Sequence, residues 1–218
     1  MLKIPNERKV WITSDTHYNH TNICRGVTKW RTSKNEVPID QTRDFATLER
    51  MNSTIVNNIN EHVGQEDVLI HLGDWSFGGF EMIEEFRNRI ICQEIHLILG
   101  NHDHHIDLNR QGCQDHFASV QWFLQLNYLG ETIECMHYPI SSWNGLRKGR
   151  IHLHGHCHLP NNKKHSNGRR MDVGMDGSLD FSPYDLRLLI NHLKKLPIGS
   201  EMGPDDDHHL DDLKNVRG

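Results

Sequence analysis

Leu99-Gly100-Asn101-His102-Asp103 closes a largely apolar run that begins at Ile95. A buried strand that stops in Gly-Asn-His-Asp presents polar side chains at its carboxyl end instead of filling a core. Three other strand-like runs end in the same way. Val10 to Ser14 runs into Asp15-Thr16-His17, Val68 to Leu72 into Gly73-Asp74, and Ile151 to Leu153 into His154-Gly155-His156-Cys157-His158. This pattern predicts four strands that deliver their polar ends to one site.

Between these runs the spacing of apolar residues changes from two to three and four. Phe45, Leu48, Met51, Ile55 and Ile59 form the stripe of an amphipathic helix that closes near Gly64, and Phe80, Ile83, Phe86 and Ile90 form a second. Strand, helix, strand in this order predicts parallel pairing through covering helices. Open α/β sheets gather ligands at the carboxyl ends of such strands, where Asp15, Asp74 and Asn101 lie. The second half reads differently. Val120, Trp122, Leu124 and Leu126 alternate as one strand, a turn follows at Asn127 to Gly130, and Thr132 to Met136 leads into His137-Tyr138-Pro139. Short strands at 151–154 and 170–173 bracket a polar loop. A last helix is expected with Ser182 as cap, Pro183 at its first position and Leu186, Leu189, Leu193 and Leu196 on its apolar face.

The 218 residues suffice for one well-buried core, so a single domain over 1–197 is expected, followed by a loose acidic tail at 198–218. No apolar run approaches the roughly 18 residues of a membrane span. The first residues lack the apolar region and cleavage site of a secretory signal, so the expected location is the cytoplasm of a bacterium or of a phage host. Cys24, Cys92, Cys113, Cys135 and Cys157 are odd in number and share no short spacing, which argues against a disulfide framework and a thiolate zinc knot. A net charge of -5 gives no general attraction to nucleic acid. The surplus is in histidine, 18 residues, and position decides what it means.

Collected by type, the strand-end residues are Asp15, His17, Asp74, Asn101, His102, His137, His156 and His158. Carboxylate oxygen with neutral imidazole suits zinc, manganese or iron, and needs no thiolate. With two oxygens, Asp74 could bridge two ions about 3.5 to 4 Å apart, an arrangement that activates water for in-line displacement at phosphorus. Asp15 and His17 are two apart, as are His156 and His158, so an extended segment would point each pair one way. His71 and His96, inside apolar strands, read as hydrogen-bonded structural histidines.

Asp15-x-His17, Gly73-Asp74, Gly100-Asn101-His102-Asp103, His137 and Gly155-His156-x-His158 occur in the order found in calcineurin-like metallophosphoesterases. The chain resembles that superfamily over residues 15–158, and its opening motif is similar to those of small single-domain bacterial and phage phosphoesterases. The resemblance implies an α/β fold of two facing mixed sheets flanked by helices, a four-layer sandwich. It implies two divalent metal ions, Mn, Fe, Zn or Ni. One would be held by Asp15, His17, Asp74 and His158, the other by Asp74, Asn101, His137 and His156. His102 would face the leaving-group oxygen as the catalytic proton donor, and the nucleophile would be a hydroxide activated by both metals. Phosphoprotein phosphatases of the superfamily carry a further aspartate where Phe77 stands here, which leaves Asp103 as a substitute partner for His102.

The expected activity is hydrolysis of a phosphodiester or phosphomonoester, with a small nucleotide-type phosphate ester as substrate and no membrane partner. Two alternatives stand beside it. One is a nuclease acting on short nucleic acids through Lys163, Lys164, Arg169 and Arg170, ranked lower because no aromatic residues interleave with them. The other is a metal-bound scaffold without catalysis, opposed by the intact ligand set. Arg25, Arg31, Arg147, Lys148 and Arg150 are the positive charges nearest the motifs in sequence. His20 and Asn22 could line the substrate side or only tie down their own loop.

Overall fold

The structure, a computed structural model, describes residues 1–24, 43–159, 168–178 and 180–199. Arg25, Arg31, Lys163, Lys164 and the tail from 200 onward lie outside the described residues.

The strands are β1 (Leu2–Lys3), β2 (Val10–Thr13), β3 (Val68–His71), β4 (Glu94–Ile98), β5 (Ser119–Gln121), β6 (Phe123–Tyr128), β7 (Glu131–Met136), β8 (Ile151–His154), β9 (Arg170–Asp172) and β10 (Tyr184–Asp185). The α-helices are α1 (Thr21–Cys24), α2 (Leu48–His62), α3 (Phe80–Arg89), α4 (His104–Asp107) and α5 (Leu186–Leu193). They form two five-stranded mixed sheets, β10-β2-β3-β4-β5 and β1-β6-β7-β8-β9, flanked by helices. In the first sheet β2, β3, β4 and β5 run parallel, with Thr13 opposite His71 and His71 opposite Leu97, so their carboxyl ends share one edge.

Alternation along these strands assigns two cores. Val10, Ile12, Val68, Ile70, Leu72 and Ile98 meet Leu124, Leu126, Ile133, Leu153 and Met171 of the second sheet in one cluster. Leu69, Ile95 and Leu97 face the other way, onto Met51, Ile55 and Ile59 of α2 and Ile83 and Phe86 of α3. Each fully buried aliphatic side chain of this kind contributes about 1.5 to 3 kcal/mol, so the facing sheets are held mainly by their shared apolar layer. On the outer face of the second sheet, the loop before β8 folds back, with Trp143 5.3 Å from His152 ring to ring and the Ile140 N–H donating to His152 Nε2.

Three expected boundaries move. The alternating run from Val120 to Leu126 is two strands, because β5 pairs with β4 and β6 pairs with β7 and β1, and Trp122 at the crossing is exposed. One periodic segment thus serves both sheets, a choice that local spacing cannot express. The last helix is capped by Asp185, not Ser182. Residues 184–185 first pair with β2, and only then does the Asp185 carboxylate accept from the N–H groups of Arg187 and Leu188. Edge pairing satisfies backbone that would otherwise open the helix earlier. At α2 the helix starts at Leu48 under a Thr47 cap, while Phe45 packs from the preceding loop.

Candidate metal centre

The loops after β2 and β3 continue their ladder beyond the strands. Asp15 N–H donates to Gly73 O, His17 N–H to Asp74 O, Tyr18 N–H to Trp75 O and Phe77 N–H to Tyr18 O, at 2.8 to 3.2 Å. Tyr18 and Trp75 anchor this zipper in the helix-side core, where each ring packs on Phe86. The polar residues between these anchors have little freedom to move.

Asp15, His17, Asp74, His156 and His158 all take left-handed backbone conformations, with φ of 55, 47, 58, 70 and 49°. Each such residue costs of the order of 1 to 3 kcal/mol, and concentrations of this strain mark functional sites. The extended geometry expected of the two-residue spacing does not hold: left-handed kinks set Asp15 Oδ1 3.8 Å from His17 Nε2, while His156 turns to Asn101 and His158 to His17. Two glycines permit the approach. A Cβ on Gly100 would lie 2.2 Å from Asp74 Oδ1, and one on Gly155 2.3 Å from Asp15 Oδ2.

The side chains converge in two linked groups. His17 Nε2 lies 3.1 Å from His158 Nε2, and Asp15 Oδ1 is 3.8 Å from the first and 3.7 Å from the second. On the other side, Asn101 Oδ1 is 3.0 Å from His137 Nε2 and 2.9 Å from His156 Nδ1. Asp74 Oδ2 stands between the groups, 3.5 Å from His17 Nε2 and 3.6 Å from His137 Nε2. Asp15, His17 and His158 can hold one ion, and Asp15, Asp74 and His137 lie close enough to hold another. All seven sequence-predicted ligand candidates thus lie in one cluster.

The chemistry of this donor set fits cations. Asp15, Asp74 and His137 are almost wholly buried, and burial raises Asp74 and, with His158 and Arg43 nearby, lowers His17 well below its usual value. Both shifts disfavour the charged form, the carboxylate of Asp74 and the imidazolium of His17; a bound cation would favour the carboxylate and take the neutral imidazole as a ligand. The far ring nitrogens are held as ligands require: His137 Nδ1 lies 2.7 Å from Leu72 O, and His158 Nδ1 2.9 Å from Asp176 Oδ2.

His102 is exposed beside this cluster, its ring 4.8 Å from Phe77 and 5.6 Å from His17, and its backbone N–H donates to Asp74 Oδ1. Asp103 is not its partner. That buried carboxylate accepts from the N–H groups of Gly100, Asp74 and Trp75 at 2.7 to 2.9 Å, pinning the ends of β3 and β4 together. Burial pushes Asp103 up to about 6. His20 stacks on Phe77 at 3.7 Å and so belongs to the site's rim, whereas Asn22 is exposed on α1. His71 bonds Thr16 Oγ1, and His96 bonds Ser119 Oγ and Glu94. Among the candidate cations, Arg150 pairs with Glu134, while Arg169 and Arg170 donate to backbone carbonyls.

Sequence reasoning missed Arg43 and Asp176. The Arg43 guanidinium is buried, with Nε and Nη2 forking onto both oxygens of Asp176 at 3.0 and 2.8 Å, and further bonds to the carbonyls of Asp15 and Thr16. Burial would raise Asp176, but Arg43 and His158 hold its carboxyl well below the usual range. Burial likewise works to lower His158, yet the carboxylates of Asp15 and Asp176 bring it up to about 9. Neither residue stands in a motif; Asp176, 18 positions after His158 in a Gly-rich turn, offers no local signal.

The sequence profile of calcineurin-like phosphoesterases matches residues 8–195. The chain belongs to the calcineurin-like phosphoesterase family. Within this metal-dependent family, it is 26% identical over 197 residues to an uncharacterized protein, MJ1445, of Methanocaldococcus jannaschii, covering 86% of the chain and 93% of that protein. It is also 26% identical over 214 residues to the gene 66 protein of Mycobacterium phage D29, covering 85% of the chain and 98% of the relative. Among solved structures, the Aquifex aeolicus protein of unknown function AQ665 superposes with a TM-score of 0.59 at 18% identity, over 85% of this chain and all of that one, a likeness of fold. The family makes the chain a phosphoric ester hydrolase by kinship.

Proposed function

We propose that this calcineurin-like phosphoesterase hydrolyses a small nucleotide-type phosphate ester, a phosphodiester first, using two divalent cations. The observation that carries the reading is Asp74 Oδ2, set between His17 Nε2 and His137 Nε2 at 3.5 and 3.6 Å, so that one carboxylate serves two ligand groups. Asp15, His17, Asp74 and His158 would hold one ion; Asp74, Asn101, His137 and His156 the other. When bound, the pair would activate water and neutralise charge on the phosphoryl oxygens.

The chain's own residues do the rest. The zipper of the 15–18 and 73–77 loops fixes the ligands before substrate arrives, so little reorganisation is needed at the reacting centre. His102, at the exposed edge, would give its ring proton to the leaving oxygen. Asp103 supports this from below by holding the Gly100 turn, without touching the ring. A small substrate is favoured over a short nucleic acid because Arg169 and Arg170 are engaged with the carbonyls of Gly149 and Ile140.

Hydrolysis of bis(p-nitrophenyl) phosphate with added manganese tests the reading. Asp74→Asn should lower kcat by at least about a thousandfold, and His102→Ala by about a hundred- to a ten-thousandfold, the usual worth of a general acid. Equal rates for wild type and both variants, with metal content verified, would refute catalysis at this site.

A further inference from the structure

We propose that the cavity beside His102 is an anion subsite that receives a second phosphate group of the substrate, carried on the leaving group. This rests on the hydrolase reading above and extends it. The cavity is about 90 Å³ and is lined by Ser76, Gly78, Gly79, His102, His104 and His105. That is roomier than the roughly 30 Å³ share of one water in the liquid.

Phe77, Ile83 and Ile106 supply apolar lining, and donors supply the rest. The ten-residue helix α3 begins here, and Gly79 at its cap position makes no side-chain cap bond. The first N–H groups of a helix have no intrahelical acceptor and sit at the positive end of its dipole, which suits an anion. The imidazole of His105 lies against that start, with Nε2 3.9 Å from where a Gly79 Cβ would be. The independent observation is Ser76. It is 8% exposed, lines the cavity, and its hydroxyl has no partner among the described residues. Ser14 and Thr16, in the neighbouring loop, each donate to a backbone carbonyl at 2.9 and 2.7 Å. A buried hydroxyl left unbonded costs about 1 to 3 kcal/mol unless a ligand completes it.

Acceptors are scarce here. Asp103 also lines the cavity, but its carboxylate is spent on three N–H groups. Glu81, on the first turn of α3, is exposed to solvent. Donors without a free buried acid select an anion, and a tetrahedral phosphate has oxygens enough for hydroxyl, imidazole and helix N–H together. Because His102 lines the same cavity and faces the leaving oxygen in the proposed reaction, the phosphate would be borne by the departing half of the substrate.

Three dinucleotides test this: TpT, pTpT and TpTp, with manganese. One of the phosphorylated pair, the one whose products place the extra phosphate on the leaving nucleoside, should show kcat/KM at least about tenfold above TpT. Ser76→Ala and His105→Ala should each reduce that advantage to under about threefold, and His105→Ala should leave TpT hydrolysis and thermal stability unchanged. TpT cleavage with no phosphate advantage, or an advantage that survives both substitutions, would overturn the subsite and leave the hydrolase reading intact. Binding of inorganic phosphate to metal-free Asp74→Asn protein, followed by ³¹P NMR, separates the two ideas. Saturable binding lost in the added Ser76→Ala change supports the subsite even if no dinucleotide is cleaved; absence of binding there, with no phosphate advantage in turnover, overturns it.

Discussion

At the scale of single residues, the two acids outside the proposed ligand set are as informative as the ligands. Asp103 accepts three backbone N–H bonds at the meeting of β3 and β4. In Asp103→Asn one oxygen becomes an NH2 that faces donors, so urea unfolding should show a loss of about 2 to 4 kcal/mol. Asp176 joins the buried Arg43 to His158. If His158 is a ligand, Asp176→Asn should weaken manganese binding about 10- to 100-fold, with activity recovering at high manganese. Recovery would separate a positioning role from a structural one, because a misfolded chain is not rescued by metal.

At the scale of elements, the carboxyl ends of β2, β3 and β4 must lie closer than side chains normally allow. Gly100 is placed so that a Cβ would meet Asp74 Oδ1 at 2.2 Å and Asp74 N at 2.5 Å. Gly100→Ala should therefore displace Asp74, and manganese-dependent hydrolysis should fall with it, as far as in Asp74→Asn. At the far end of the chain, the helix α5 depends on Asp185, whose carboxylate caps two N–H groups. Asp185→Ala should cost about 1 kcal/mol in thermal or urea unfolding, whereas Ser182→Ala should leave the helix cap intact. The strand ends that the spacing predicts are present, and so are the helical stripes apart from Phe45 and Leu196, which lie outside α2 and α5; the break at Trp122 and the delayed start of α5 are not visible in spacing, because each depends on which sheet edge is free.

At the scale of the whole molecule, buried neutral histidines couple folding to pH. His152, whose two ring nitrogens meet Glu134 O and the Ile140 N–H, is lowered by burial to about 4. The unfolded chain takes up this proton near pH 6.5 and the folded chain does not, so its contribution to stability is complete above 6.5 and declines as pH falls toward 4. Between pH 6.5 and 5 the wild type should lose roughly 1.5 kcal/mol more than His152→Gln, read from urea unfolding of metal-free protein. No helix among the described residues is long and apolar enough to cross a membrane.

The sequence alone determined the strands that end at the site with the helices between them, the two-sheet family fold and the seven ligand candidates with His102, because strand ends and family motifs are local and each motif lies within a few residues. Tertiary structure decided what the candidates do to one another. It brought Asp15 beside His158 and Asp74 beside His137, bent five of them into left-handed conformations, and supplied Arg43 and Asp176 from outside every motif. It also turned Asp103, adjacent to His102, away from it and onto three backbone N–H groups. The physical reason is the same in each case: a carboxylate or guanidinium finds its partner by where the chain brings buried donors and acceptors together, and sequence separation does not report that distance.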